Sequence, residues 1–455
     1  MTRDMTVGNP VKLIISFSIP LLIGNLFQQL YSMVDAVIVG QFLGVDALAA
    51  VGTTGPLSFL VLGFVMGMTG GFSVVVAQRF GAGDYDDMRH TVAMSAILSV
   101  ALTVLMTVLS VAFCWKLLEI MNTAENIIGM AYDYIVVIFA GTFASVLYNS
   151  LSGILRALGD SKTPLYFLIL SSLLNVVLDL VFIINFQMGV AGAGYATVLS
   201  QLVSGVLCLV YMAKRFPILH FRREDWRFSA ETCRHLLKIG SPMAFQFSIT
   251  AIGVITLQGA VNSFGSAVTA AFTAASKVET LTQQLMATLS TTTATFVGQN
   301  LGAGKMSRIR EGVRRCRQIT DISSLVLMVL VYLFWRSFVS LFISGDQPEV
   351  FDAARTYLYI IMAFYLPLGW VNIYRNALQG MGEAFVPLLG GVMELLMRVV
   401  VATLAVPLGF WAVCLASPMA WIGADIPLLI TYRRRMRTMS AFEQAKKANE
   451  AVQTE

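Results

Sequence analysis

Residues 77–84 read AQRFGAGD, and residues 298–305 read GQNLGAGK. The pattern Q-x-x-G-A-G thus occurs twice, and each time an arginine stands six positions after the last glycine, at Arg89 and Arg310. A phosphate-binding loop, a linker between helices and the trace of a duplicated gene would each explain such a pair. The first copy lacks the lysine of a Walker loop, which disfavours phosphate binding.

Further matches at nearly the same offset decide in favour of a duplication. They are Pro20 with Pro242, Gly44 with Gly265, Tyr134 with Tyr357, Gly159 with Gly382, and Pro164 with Pro387. Matches in several separate places, at offsets of 221 to 223, indicate two homologous halves. The glycine motif then marks the same turn in each half, between the second and third helices.

The composition is that of a membrane protein. Of the 455 residues, 57% are hydrophobic and 13% are charged, whereas soluble proteins have about 25% charged residues. Apolar runs of about 20 residues, each long enough to cross a bilayer core of roughly 30 Å, recur along the chain. Twelve are predicted, at 13–39, 50–76, 91–114, 131–151, 164–185, 190–212, 239–262, 269–297, 318–335, 356–379, 386–407 and 409–431.

The basic residues are distributed asymmetrically about these spans. Of 31 Lys and Arg, 25 fall in the two termini and every second connection, three in the other connections and three within spans. The positive-inside rule then places both termini in the cytoplasm. We therefore expect a multi-pass protein of the cell membrane. We interpret the basic runs primarily as signals that set the membrane topology, and secondarily as contacts for lipid headgroups. Nucleic-acid binding is disfavoured.

We predict an all-α protein of twelve transmembrane helices in two six-helix lobes. Because each lobe has an even number of spans, the first helix of both lobes enters the membrane from the same side. A pseudo-two-fold axis along the membrane normal would then relate the lobes, with a cavity between them. The predicted boundaries are an N-terminal lobe at 1–212, a cytoplasmic linker at 213–238, a C-terminal lobe at 239–432 and a cytoplasmic tail at 433–455. This geometry is typical of a transporter.

Polar side chains of the first half share one depth in the membrane. Asp35 lies roughly 22 Å of helix beyond Pro20, and Asp179 lies about as far beyond Pro164. At a similar depth we place Asn175, Thr197 and Tyr134. Intramembrane acids usually face a cavity or a partner, and burial beside a second carboxylate disfavours the charged form, which permits proton exchange. Each acid alone would also fit an interfacial helix end, but the shared depth favours a pair.

The second half does not repeat this cluster. The positions that match Asp35 and Asp179 fall at or near the apolar Leu257 and Ala402. That half offers Lys277 and Glu279 in the eighth span as candidate cavity residues, and Lys277 would either line a cavity or extend to the membrane surface. Ion coupling is therefore expected in the first half only.

Four other charged positions and one proline of the spans have structural interpretations. Glu394 and Arg398 are one turn apart in the eleventh span, also candidate cavity residues, and are most simply an intrahelical ion pair. Asp133 and Asp425 lie near membrane faces, where an acid is tolerated. Pro20 interrupts the backbone hydrogen bonds of the first span, so it is either a hinge for the helix that carries Asp35 or a static bend.

Four tracts resemble a known family in order and spacing: VDAVIVGQFLGVDALAAVG at 34–52, AQRFGAGD at 77–84, RALGDSKTP at 156–164 and LNVVLDL at 174–180. They resemble the multidrug and toxic compound extrusion (MATE) family, and in particular its DinF-like prokaryotic branch. The resemblance covers nearly the whole chain. It implies a V-shaped bundle of two lobes and the antiport of organic cations against H⁺ or Na⁺.

The resemblance also implies roles for residues of the first half. The acid of the first helix maps to Asp35 and its bending proline to Pro20. Further pocket residues map to Asn175, Asp179, Tyr134, Asn149 and Thr197, and sodium would be held by Asp35, Asn175, Asp179 and Thr197. Related pumps with a sodium site in the C-lobe use acids in the seventh and tenth helices. The seventh and tenth spans of this chain contain Gln246 and Asn372 but no acid. Protons are therefore favoured.

The prediction is a proton-coupled multidrug antiporter that works by alternating access. Its expected partners are small-molecule drugs or organic cations and membrane lipids, it needs no cofactor, and it acts as a monomer. A lipid-linked oligosaccharide flippase is the alternative, but it would line its cavity with several basic residues, and only Lys277, Arg375 and Arg398 are candidates. An intramembrane enzyme is disfavoured because the spans contain no histidine and no H-E-x-x-H or G-x-S-x-G motif.

Overall fold

The computed structural model describes residues 4–343 and 348–454, with side chains through Ala441, and it is helical without a strand over those residues. Arg3, Lys446 and Lys447, which the charge count included, lie outside the described side chains. The helices are α1 Pro10–Leu43, α2 Val45–Thr53, α3 Gly55–Ala82, α4 Tyr85–Ile120, α5 Glu125–Ala140, α6 Thr142–Ala157, α7 Lys162–Leu180, α8 Gly189–Arg215, α9 Ala230–Asn262, α10 Ser266–Gly302, α11 Met306–Ser340, α12 Pro348–Ala363, α13 Tyr365–Gly380, α14 Phe385–Ala405, α15 Phe410–Val413 and α16 Ala416–Thr454.

These helices make the twelve predicted spans. Three spans are broken into two helices each, namely α2 with α3, α5 with α6, and α12 with α13, and α15 precedes α16. Nine described segments are long and apolar enough to cross a membrane alone, and the two bent pairs raise the number to eleven. The remaining span, α10, is less apolar because it is rich in Ser, Thr and Gln. The predicted spans were too short, because helices such as the 36-residue α4, about 54 Å long, continue past the apolar core.

The duplication is visible in the backbone. Glycines with a left-handed backbone stand at matching positions of the two halves and end the helices there. Their φ values are 91° at Gly44 and 92° at Gly265, 73° at Gly83 and 69° at Gly304, and 83° at both Gly159 and Gly382. The predicted repeat is therefore confirmed in three separate turns, and the glycine motif is a helix stop.

Each half also has one sharply bent span, which the sequence analysis did not predict. The bend between α5 and α6 is 47°, and that between α12 and α13 is 50°. The first bend lies at Gly141, where the side chain of Val198 on α8 packs so closely that a Cβ atom would overlap its methyl groups. Absence of a side chain at Gly141 therefore allows α8 to pack against the bend.

Two compact units divide the chain, and their boundaries fall inside helices rather than in the predicted linker. One unit contains Ile19–Ser248, and the other contains Met5–Ser18 and the chain from Ile249 onward. The predicted boundaries at 212 and 239 followed the repeat. The observed units change instead within α1, after Ser18, and within α9, after Ser248. Both helices continue unbroken through these points.

The second copy of the glycine motif holds the segment that precedes α1. Gln299 Oε1 accepts a hydrogen bond from the Met5 amide at 2.8 Å, and Asn300 Nδ2 donates to the Met5 carbonyl oxygen at 3.2 Å. Arg308 Nη1 donates to the Gly8 carbonyl oxygen at 2.9 Å. The motif therefore anchors the start of the first helix as well as ending α10.

A comparable anchor in the other unit holds the segment before α9. Arg89 Nε lies 3.3 Å from Asp225 Oδ2, and both side chains are buried. His90 Nδ1 donates to the Asp225 carbonyl oxygen at 3.0 Å. Both arginine-bearing turns thus fix the chain just before a long helix of the membrane domain begins.

Candidate ion-coupling site

Two helices of the first half bring the predicted acid pair together. Tyr31 and Asp35 lie one turn apart on α1, and Asn175 and Asp179 lie one turn apart on α7, so each pair shares a helix face. Asp179 is fully buried and Asn175 is 1% exposed. The carboxyl groups of Asp35 and Asp179 lie within hydrogen-bonding reach of each other. The structure therefore joins the two acids that the sequence placed at one depth.

Three of the four carboxyl oxygens of this pair lack donors. Asp35 Oδ1, Asn175 Oδ1 and both carboxyl oxygens of Asp179 are buried and accept no hydrogen bond from the described residues. Burying such atoms without a partner is costly. Two carboxylates in contact cannot both remain ionised at low cost, and one shared proton relieves the repulsion. The arrangement is therefore suited to bind a proton or a small cation.

Hydroxyl-bearing side chains lie near the pair. Tyr134 on α5 and Tyr31 both lie close enough to Asp35 and Asp179 to interact with their charges. On α8, Thr197 Oγ1 accepts a hydrogen bond from Asn175 Nδ2 at 3.5 Å. Of the predicted residues, Asp35, Asp179, Asn175, Thr197 and Tyr134 are thus gathered by four helices.

An apolar cluster packs at the same end of these helices. Its buried members are Ile38, Val39, Ala47, Ile183, Val190 and Ala193, and Tyr134 packs against them. Apolar surroundings lower the local dielectric, so each charge at the acid pair interacts more strongly there than in water.

One predicted residue lies apart, and one was missed. The amide of Asn149 donates to the Ser145 carbonyl oxygen of its own helix at 2.8 Å, and no hydrogen bond to the acid pair is found among the described residues. Tyr31 was not predicted, although its spacing of one turn from Asp35 was a sufficient signal. Pro20 is buried within α1, roughly 22 Å of helix before Asp35.

Glu279 in the second half has its own hydrogen-bond donors. Tyr357 donates to Glu279 Oε2 at 2.5 Å, and Gln283 Nε2 donates to Oε1 at 2.7 Å. Tyr357 is the repeat counterpart of Tyr134, so the two halves place equivalent tyrosines beside different acids. Lys277 is exposed and lines an open depression together with Asn262, Ser266, Thr269 and Thr273.

The predicted ion pair between Glu394 and Arg398 is wrong. Glu394 pairs instead with Arg375 of α13, and the side chains are 7% and 10% exposed. Arg398 lies against Gly253 on α9, where a Cβ atom would be 2.5 Å from its Nη1. A helical spacing of four residues permits a pair, but a neighbouring helix supplies the partner that Glu394 uses.

Twelve helical spans, a duplicated chain and a pair of acids within the spans define a polytopic membrane transporter. A sequence model of the MatE family matches residues 20–181 and 242–404, two stretches that begin at the matching prolines Pro20 and Pro242. The chain belongs to this family, the multidrug and toxic compound extrusion transporters that its sequence resembles.

Similar proteins cover most of the chain. The probable multidrug resistance protein YoeA of Bacillus subtilis is 30% identical over 82% of this chain and 81% of its own length. A solved multidrug resistance MATE family transporter in an outward-facing conformation has a TM-score of 0.89 at 26% identity, covering 97% of this chain and all of its own. A MATE structure in a bent conformation has a TM-score of 0.88 at 26% identity, with 97% and 99% covered.

Proposed function

We propose that this protein is a proton-coupled antiporter that exports organic, mostly cationic compounds by alternating access. The observation that carries the proposal is the proximity of Asp35 to the fully buried Asp179, because three of their four carboxyl oxygens are buried without a donor. A proton neutralises the pair, whereas an organic cation binds best to the ionised pair. Proton and substrate therefore compete for one negative charge, and this competition is the differential affinity that exchange requires.

The helix that carries Asp35 has a natural point of bending. Pro20 cannot donate a backbone hydrogen bond, which weakens the helix there. The division between the two compact units crosses α1 between Ser18 and Ile19, directly before this proline. Uptake of a proton at Asp35 or Asp179 then lets α1 rearrange at Pro20, and the substrate loses its binding site. A similar MATE structure with a bent conformation supports this step.

Sodium is the second coupling ion that the chemistry allows. Asp35, Asn175, Asp179 and Thr197 present carboxylate, amide and hydroxyl oxygens, the ligand types that hard cations prefer. Carboxyl groups within hydrogen-bonding reach of each other favour a shared proton, so the proton is the ion that we propose.

The transporter works as a monomer in the cell membrane among its lipids, with both termini in the cytoplasm, as its charge asymmetry predicts. Its substrates are small-molecule drugs or organic cations, which the description of the similar YoeA protein as a probable multidrug resistance protein supports. The comparisons give no support to a lipid-linked oligosaccharide flippase.

The test is ethidium transport in proteoliposomes under an imposed pH gradient or, separately, an imposed sodium gradient. We expect the pH gradient to drive transport by the wild type, and Asp35→Asn and Asp179→Asn each to lower the initial rate at least about tenfold, or ~1.4 kcal/mol of barrier. Asp133→Asn is the matched control, since Asp133 is an exposed acid of α5. Unimpaired pH-driven transport by both Asn variants would refute the mechanism. Transport driven only by the sodium gradient would show that sodium, not the proton, is the coupling ion.

A further inference from the structure

Three charged side chains lie near one another on α13, α14 and α16 in the second half. Arg375, Glu394 and Asp425 come from these three helices in turn, and Arg375 and Glu394 are 9% and 5% exposed. Both Arg375 and Glu394 lie close enough to Asp425 to act on its charge. We call these three residues the C-half triad. It shares no residue with the acid pair of α1 and α7.

The C-half triad contains unsatisfied atoms of opposite charge. Arg375 Nη2 donates to Glu394 Oε1. Arg375 Nε and Asp425 Oδ1 are both buried, and neither has a hydrogen-bond partner among the described residues. The guanidinium thus uses one nitrogen for Glu394 and leaves its Nε without a partner, and its charge also acts on Asp425. Arginine has five donors and commonly binds two acceptors, so its pairing with Glu394 alone leaves an alternative partner in place.

The charges of the triad do not balance. Two carboxylates and one guanidinium leave one negative charge inside a membrane span, where an uncompensated charge is costly. Arg398, one turn from Glu394 on α14, is also buried, but its charge acts on Glu279, whereas the charges that act on Asp425 are those of Arg375 and Glu394. On α11, Arg317 pairs with Asp321 at 3.5 Å.

The other charged groups near these helices are also occupied. Arg435 of α16 pairs with Glu383 at 2.9 Å, before α14 begins. The hydroxyl of Tyr374 on α13 accepts a hydrogen bond from Arg317 at 3.5 Å. A proton on one carboxyl group is therefore the simplest means to make the triad neutral.

We propose that the C-half triad binds one exchangeable proton, held by whichever of Asp425 and Glu394 is not paired with Arg375. In the described structure Arg375 pairs with Glu394, so the proton resides on Asp425. When Arg375 turns to Asp425, the O–H bond of Asp425 breaks, an O–H bond forms on Glu394 and no net charge moves. Release of the proton to water leaves one negative charge that a second proton or a substrate cation can neutralise.

The triad would thus be a second ion-binding site, in the half of the chain where the sequence predicted none. Glu279 does not take this role, because Tyr357 and Gln283 already satisfy both of its oxygens. The participation of the triad in transport rests on the proposed antiport, whereas its binding of a proton does not.

The first test is infrared spectroscopy of the purified full chain, recorded across a pH titration. The Asp35→Asn/Asp179→Asn variant serves as the background, so that the acid pair gives no signal. We expect a protonated-carboxyl band of roughly one proton per protein. Asp425→Asn removes it, because Arg375 and Glu394 then balance each other. Glu394→Gln also removes it although Asp425 is intact, because Arg375 then pairs with Asp425 and holds it ionised.

Asp133→Asn in the same background is the matched control and retains the band. A band that persists in Asp425→Asn overturns the site. A band that persists in Glu394→Gln overturns the exchange of partners. Both substitutions replace a carboxyl by an amide of the same shape, so if one variant fails to fold, the other still tests the proton.

The second test measures transport in proteoliposomes, with a pH-sensitive dye to count protons moved per ethidium. We expect a lower proton-to-ethidium ratio in Asp425→Asn and Glu394→Gln than in the wild type and in Asp133→Asn. An unchanged ratio overturns the coupling role. Should the wild type show no pH-driven transport, the proposed antiport fails while the infrared test still decides whether the triad binds its proton.

Discussion

Asp35 on α1 and Asp179 on α7 lie within hydrogen-bonding reach of each other, and no donor from the described residues satisfies either oxygen of Asp179. A proton or a cation bound between the two carboxyl groups would stabilise such a pair. The neighbouring apolar cluster raises the free-energy cost of leaving their charges uncompensated. The consequences can be measured in transport and in stability.

The two acids should act as one unit. Asp35→Asn and Asp179→Asn each remove the shared charge, so the double variant should transport ethidium no more slowly than the slower single variant. Initial transport rates under a pH gradient, measured for the wild type, both single variants and the double variant, form a double-mutant cycle. Losses that multiply in the double variant would show that the acids work independently.

Tyr31 should support transport although sequence analysis did not find it. Its phenol lies near both acids and contacts the side-chain amide of Gln28. Tyr31→Phe removes one hydroxyl hydrogen bond, worth about 0.5–1.5 kcal/mol, and should slow pH-driven transport about two- to tenfold. Tyr166→Phe changes an exposed tyrosine of α7 and should transport at the wild-type rate. Equal transport rates for Tyr31→Phe and Tyr166→Phe would show that the Tyr31 hydroxyl does not contribute to the site.

The bend at Gly141 should be sensitive to a single methyl group. Gly141→Ala places a Cβ atom against Val198, and overpacking of this kind typically costs about 1–3 kcal/mol. Thermal unfolding in detergent should show a lower midpoint, partly restored by adding Val198→Ala. Gly129→Ala is the control on α5, since a Cβ there meets nothing within 4 Å. Its midpoint should stay the same or rise, because alanine favours a helix.

Arg308 should hold the segment before α1 in place. Arg308→Ala removes donors to the carbonyl oxygens of Met5 and Gly8. Amide exchange at Met5 should accelerate about tenfold, which corresponds to ~1.4 kcal/mol of local opening. Arg314→Ala is the control, since Arg314 is an exposed arginine of the same helix. Mass spectrometry of exchanged N-terminal peptides gives the rates, and identical rates in both variants would mean that other contacts hold the segment.

Much of the fold was predictable because it depends on local properties. Apolar runs of membrane-spanning length indicated the spans, and the repeated glycines, which terminate helices through a left-handed backbone, indicated the two halves. The bends at Gly141 and Phe364 were not predicted. Their hydrophobic pattern continues through the bend, and the close approach of Val198 to Gly141 involves a helix far along the chain.

The candidate site was predictable where one helix face or one membrane depth specified it. Asp35 and Asp179 were found by depth alone, and Tyr31 could have been found by its spacing from Asp35. Asn149 was included through the resemblance, but its amide bonds to Ser145 in its own helix. Glu394 was paired with Arg398 by spacing, whereas the structure pairs it with Arg375.

The amino-acid sequence by itself determined the membrane setting, the number of spans, the duplication and the presence of acids that only the first half carries at that depth. These properties follow from hydrophobicity, helix geometry and residue identity along one chain. Only the tertiary structure decided which charges meet. Arg375 could have paired with several acids, and the packing of α13, α14 and α16 selected Glu394 and left Asp425 Oδ1 without a donor. Such choices depend on distances between helices, which spacing along the sequence does not encode.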